Sequence, residues 1–228
     1  MITEHHLPVS RTARYYTLGR PGDAIREVWF GVHGYGQLAE RFIRHFEALD
    51  DGRHLVIAPE ALSRFYLDTV RTSHVQSPVG ASWMTREDRL SEIDDYILYL
   101  DALYAQVMSA VERQRVRVVV LGFSQGVATV CRWLERGTAR ADRLVLWGGH
   151  LPNETDFSRP ENPLRSVRLT LVAGDGDEFA TPETVAAEER ALQANDVAFE
   201  RLTFAGGHRL DHALLAEMAG VSAPAPGT

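Results

Sequence analysis

Three kinds of side chain that can carry out acyl transfer stand in this chain at positions one fold could gather. Ser124 lies in Gly122-Phe123-Ser124-Gln125-Gly126, three acids lie in Gly174-Asp175-Gly176-Asp177-Glu178, and His208 closes Ala205-Gly206-Gly207-His208. A serine hydroxyl is a weak nucleophile at neutral pH. It needs a general base within hydrogen-bond reach, and that base needs an acid to fix its tautomer. Of the nine histidines, His208 follows the last strand pattern, and the two glycines before it let the loop bring an imidazole to Ser124. Asp177 is the first choice of acid and Asp175 the second. Together the three groups would attack a carbonyl carbon and hold the acyl group covalently.

Such an attack also needs two donors aimed at the developing oxyanion, and losing one typically costs ~10²–10³ in rate. The backbone N–H of Gln125 follows the nucleophile and supplies one. The other is assigned to the N–H of Tyr35 in His33-Gly34-Tyr35-Gly36, where glycines let amides turn inward. The helix after Ser124 adds its positive end. His212, beside Asp211, competes with His208 as base, and His208 with His212 could place two imidazoles on one helix face for a metal. Spacing suggests no third ligand, so neither a metal nor a cofactor is expected. His150 either borders the pocket or is plain structure.

The positioning elements show in the hydrophobic pattern. A β-branched run at 116–121 enters the Ser124 turn and a helical pattern at 127–134 leaves it, the context in which Gly-x-Ser-x-Gly means a nucleophile elbow. Strand patterns also occupy 13–18 (an edge), 28–32, 54–58 (stopped by Pro59), 144–147, 168–173 and 199–204. Leu38, Phe42, Ile43, Phe46 and Leu49 keep helical spacing. So do Leu90, Ile93, Ile97, Leu100, Tyr104, Val107 and Val111, after a capping-box variant at Thr85 and Asp88. Thr181-Pro182-Glu183 starts another helix, and Leu210, Leu214 and Met218 pattern the last. Residues 60–84 read as one long connection, a length that usually has a functional reason. Residues 148–167 give the only room for a lid, too little for a large helical cap, and 221–228 read as a frayed tail. The expectation is a single α/β domain over 1–228, its mostly parallel sheet covered by helices on both faces.

These residues together resemble the carboxylesterase/phospholipase/acyl-protein thioesterase family of α/β-hydrolases, over about 26–218. The family's His-Gly-x-Gly loop, Gly-Phe-Ser-Gln-Gly elbow, Gly-x-x-Asp acid loop and late Gly-His stand here at His33-Gly34-Tyr35-Gly36, Gly122–Gly126, Gly174–Asp177 and Gly207-His208. The resemblance implies an α/β-hydrolase fold without a large cap, and it aligns Asp177 with the family's acid. Ser82-Trp83-Met84-Thr85 stands near the family's Ser-Trp-Phe-Asp. Departures are Glu178-Phe179-Ala180-Thr181-Pro182 after the acid where Pro-Leu-Val-Pro is usual, Gln37 in place of an acid, and Val127 in place of a third glycine. They bear on substrate choice more than on the reaction.

At 228 residues and 45% hydrophobic, the chain can bury a sizeable core. A net charge of −7 argues against nucleic acid or an anionic membrane surface as partner. No run approaches a membrane span or a signal peptide. Cys131 stands alone, so no internal disulfide forms and the cytoplasm is the expected compartment. Phe65, Tyr66, Trp83, Met84 and Trp147 are candidates to line an acyl pocket. The expected partner is a small acyl ester, and the oligomeric state stays open, a homodimer included. Hydrolysis of short- to medium-chain carboxylic esters ranks first, thioester or lysophospholipid hydrolysis second, and a non-catalytic binding protein on the same fold third.

Overall fold

Valine, isoleucine and leucine crowd the strands because a parallel sheet is buried on both faces and favours branched apolar side chains there. The computed structural model describes residues 1–68 and 77–222. Its strands are β1 (Tyr15–Leu18), β2 (Glu27–Val32), β3 (His54–Pro59), β4 (Ser63–Tyr66), β5 (Val79–Ser82), β6 (Arg117–Phe123), β7 (Arg143–Trp147), β8 (Arg168–Gly174) and β9 (Phe199–Phe204). Its α-helices are α1 (Ala39–Phe42), α2 (Arg89–Met108), α3 (Gln125–Arg136), α4 (Pro182–Ala194) and α5 (His212–Ala219).

Seven strands form one sheet in the order β1-β3-β2-β6-β7-β8-β9. All neighbours are parallel except β1, which runs antiparallel to β3 at the edge. Alternate residues of a strand point to opposite faces, and β6 shows it. Val118 and Val120 pack with Ile93, Leu100 and Trp133 of α2 and α3, while Val119 and Leu121 pack with Phe42, Phe46 and Leu215 on the other side. Helices therefore cover both faces. No helix among the described residues is long and apolar enough to cross a membrane.

Four local expectations change. Residues 38–49 form only a short α1 that tightens into a 3₁₀ helix over Ile43–Leu49, still burying Phe42, Phe46 and Leu49. The long connection contains structure: β4 and β5 pair antiparallel, and Gly80 lies so close to Gly36 that a side chain there would collide with the Gly36 carbonyl. Small residues such as Gly80, Ala81 and Ser82 carry little strand signal, which hid this ribbon. The capping box at Thr85 does not form, because α2 begins only at Arg89 and Asp88 is left-handed at φ 44° with no side-chain cap. Thr85 instead closes a local turn, its hydroxyl accepting the Glu87 N–H at 3.2 Å. The expected helix extends to Val111 in pattern but ends at Met108. Most of the expected frayed tail, 223–228, lies outside the described residues, as does 69–76 within the long connection.

Candidate active site

Ser124 stands between β6 and α3 at φ 55°, ψ −118°, a conformation that a β-carbon makes costly and that surrounding structure must enforce. Its own N–H donates to the Trp147 carbonyl (2.9 Å) and its carbonyl accepts from Val127 N–H (2.9 Å). Strand and helix close on each other at this turn. A β-carbon on Gly122 would strike the Gly126 backbone, and one on Gly126 would strike the carbonyl of Val32 in β2.

His208, beyond β9, reaches both Ser124 and Asp177. Its Nε2 lies 3.0 Å from Ser124 Oγ and its Nδ1 2.9 Å from Asp177 Oδ2. Asp177, beyond β8, is buried, and its Oδ1 accepts the N–H groups of Phe179 (2.8 Å) and Ala180 (2.9 Å). Burial pushes this carboxyl up, but the N–H of Ala180, the imidazole of His208 and the N–H of Phe179 together outweigh it and hold the group below the usual range. The carboxylate is thus ionised at neutral pH and only accepts. The His208 proton must then sit on Nδ1, leaving the Nε2 lone pair to face the serine hydroxyl.

Asp175 does something else: its Oδ1 accepts the Gly206 N–H at 2.9 Å and shapes the turn beside His208. Glu178 is exposed. His212, the first residue of α5, has Nε2 2.8 Å from His45 Nδ1 and is engaged there. Among the described residues, Glu4, His6 and Asp88 bring three ligand-type atoms within 4.8 Å of one another, all exposed. His6 Nε2 lies 3.2 Å from each carboxylate, which ion pairing alone accounts for.

In the loop after β2 the N–H groups of Gly34, Gly36 and Gln37 are taken up. Gly34 N–H donates to Gln37 Oε1 (2.8 Å), Gly36 N–H to Ala81 O (2.9 Å) and Gln37 N–H to Gly34 O (3.3 Å). Tyr35 N–H has no acceptor among the described residues, and neither has the N–H of Gln125, which opens α3 and belongs to its unpaired first turn. A β-carbon on Gly34 would lie 3.0 Å from Ser124 Cβ, so the loop rests against Ser124. His33 anchors it from below. Its Nδ1–H donates to Gly34 O (2.8 Å), its Nε2 accepts from Ala61 N–H (3.1 Å), and burial lowers the imidazole to about 4. The Gln125 side chain ties the elbow to the next wall, accepting from Trp83 N–H (3.1 Å) and donating to Met84 O (2.8 Å) and Ser82 Oγ (3.1 Å).

The expected acyl pocket needs correction. Trp83 and Trp147 are 2% and 1% exposed, with indole N–H groups spent on the carbonyls of His33 and Arg209. Met84 packs onto the cluster under α2 and α3, its sulfur accepting from Arg132. Trp83 and Trp147 belong to the interior because strand-end aromatics that find a carbonyl partner bury well, and Met84 is half-buried against it. Phe65 does lie near the loop after β2, its ring 5.1 Å from that of Tyr35, and Tyr66 is exposed. Two apolar residues that sequence reasoning missed stand beside them. Phe179 is 59% exposed with its ring 4.7 Å from His208, and Leu67 lies against Gly36 and Gly80. The signal for Phe179 was its place two residues after Asp177.

No protein-family model matches the chain, and neither does any curated protein sequence. Solved structures do. An acyl-protein thioesterase 2 from Zea mays superposes with a TM-score of 0.66 at 19% identity, covering 92% of this chain and 97% of that one. A carboxylesterase from Mesorhizobium loti gives 0.68 at 16%, covering 91% and 94%, and esterase PE8 gives 0.61 at 18%, covering 91% and 99%. At these identities the likeness is one of fold.

Proposed function

We propose, with the α/β-hydrolase fold of these neighbours as premise, that this protein is a serine hydrolase cleaving short- to medium-chain carboxylic esters through an acyl-enzyme. The observation that carries the reading is the His208 imidazole suspended between Ser124 Oγ and a buried, ionised Asp177. As Ser124 Oγ attacks the ester carbonyl, His208 Nε2 takes its proton. The carbonyl electrons move onto oxygen, where the N–H groups of Tyr35 and Gln125 receive the charge. Collapse of this intermediate breaks the bond to the alcohol, which leaves with the proton from His208. Water then attacks the acyl-enzyme with the same base, and the acid departs. Asp177 stays a carboxylate throughout and stabilises the transient imidazolium.

Tyr35, Phe65, Tyr66, Leu67 and Phe179 supply an apolar rim with no deep tunnel built from Trp83 or Trp147, which supports modest acyl groups. A thioester is the second reading, favoured by the likeness to the Zea mays acyl-protein thioesterase; a thiolate leaves more readily and asks less of His208. Lysophospholipid hydrolysis belongs with it. No cofactor enters this chemistry. The lone buried Cys131 fits a reducing compartment such as the cytoplasm. A fluorophosphonate probe should label the protein once and fail on Ser124→Ala, while p-nitrophenyl esters and acyl-CoA thioesters of rising length rank the substrates. Well-folded wild-type protein that takes no label would favour a binding role instead.

A further inference from the structure

The N–H of Tyr35 belongs to the Gly34–Tyr35 peptide, and His33 holds the carbonyl of that same peptide. A trans peptide is planar, with C=O and N–H pointing opposite ways, so fixing one end aims the other. The tautomer follows from the contacts. Ala61 N–H can only donate, and it meets Nε2 at 3.1 Å, so Nε2 carries the lone pair and Nδ1 the proton given to Gly34 O at 2.8 Å. Glu60 favours a second proton, but its carboxylate is spent on Arg14 and Arg64 (2.7 Å each) and burial keeps the imidazole neutral. The ring is fully buried, its centre 5.2 Å from that of Trp83 and 6.3 Å from that of Phe42. Gln37 N–H also reaches Gly34 O, at the longer distance of 3.3 Å.

We propose that His33 is a positioning residue for the oxyanion: its Nδ1–H, given to the Gly34 carbonyl, aims the Tyr35 N–H at the charge developing beside Ser124 and strengthens it as a donor; this rests on the hydrolase reading above. The bonds form one chain with every dipole running the same way. Ala61 N–H enters His33, His33 N–H enters the Gly34–Tyr35 peptide, and the N–H of that peptide leaves toward the site. Each bond polarises the next, and burial strengthens the series because the local dielectric is low. A ground-state carbonyl oxygen carries little charge and gains little from the stronger donor, whereas the oxyanion gains much. The effect therefore falls on the transition state. No proton leaves His33 at any step.

Two replacements divide the two nitrogens. His33→Asn puts an amide N–H where Nδ1–H stands and keeps the bond to Gly34 O, while His33→Gln reaches Ala61 N–H with its oxygen and gives up Gly34. The test is kcat and KM for a p-nitrophenyl ester, with active sites counted by fluorophosphonate, folding checked by melting temperature, and the affinity of a trifluoromethyl ketone that forms an oxyanion on Ser124. His33→Gln should lower kcat by about 10²-fold with KM changed little, and weaken the ketone by a similar factor. His33→Asn should restore both to within about tenfold of wild type. Both variants lose the imidazole packing, so a purely structural role would impair them alike, and that result overturns the inference. So does a folded His33→Gln with wild-type kcat and ketone affinity, which spares the hydrolase reading. Should neither variant fold, nitrogen-15 NMR of the wild type decides. The Nδ1–H proton of His33 should move downfield when the ketone adduct forms and stay put with the ketone on Ser124→Ala; an unmoved proton in the adduct overturns the inference. A wild type that neither labels nor turns over overturns both readings.

Discussion

Asp177 offers Oδ1 to two backbone N–H groups and its carboxylate to His208, whereas Asp175, two residues earlier, offers Oδ1 to the N–H of Gly206. Their replacements should therefore separate. Asp177→Asn keeps the shape but inverts the tautomer that His208 needs, and kcat should drop by roughly 10⁴. Asp175→Asn should leave kcat within about tenfold and lower the melting temperature slightly, since it weakens one turn bond. Steady-state kinetics on both variants checks the pair, and the reverse order would move the acid to position 175. At this scale the sequence was informative where chemistry restricts the residue type. A serine between glycines and a histidine after the last strand have few alternative explanations. Trp83 and Trp147 were opaque because the carbonyls that satisfy their indoles come from His33 and Arg209, far along the chain.

The ribbon of β4 and β5 and the turn at 82–84 brace the loops around Ser124 from one side. Gln125 is the bolt between them: its amide takes up Trp83 N–H, Met84 O and Ser82 Oγ while its backbone N–H has no acceptor among the described residues, beside Ser124. Gln125→Ala leaves the partly buried Trp83 N–H without its acceptor, while Ser82 Oγ still donates to Met84 O, and should cost about 1–3 kcal/mol in urea unfolding. It should also slow fluorophosphonate labelling of Ser124, because the wall next to the elbow loosens. Equal labelling rates in the two proteins would reduce Gln125 to its main chain. The sheet strands were legible because branched apolar runs have few other uses, and β9 matches the expected 199–204 to the residue. The ribbon was not, since its pairing depends on Gly80 fitting under Gly36, a contact across 44 positions rather than a periodicity.

For the whole molecule, the buried His33 sets an acid limit. Burial lowers its imidazole to about 4, against an ordinary value of 6.5. Between those pH values the unfolded chain binds a proton that the folded one refuses, so stability is complete above about 6.5 and is lost as pH falls toward 4. The full span corresponds to about 3 kcal/mol. Asp177 and Glu154, held low by their partners, act in the same sense at lower pH, while Glu135 and Glu188, pushed up by burial, oppose it. Urea unfolding from pH 7 down to pH 5 should show the decline, and His33→Gln should flatten it while being weaker at every pH. Nothing in the sequence marked His33 for this part, because its burial follows from Trp83 and Ala61 closing over it.

Cys131 sits on α3 wholly enclosed, its thiol driven far up by burial. Being the chain's one sulfhydryl, it can serve as a clock. A chromogenic disulfide reagent can reach it only when the interior opens, so the yellow colour should grow at the rate or population of opening. Every variant above then carries its own gauge of integrity, and any cysteine later placed on the surface would react with no background from the native one.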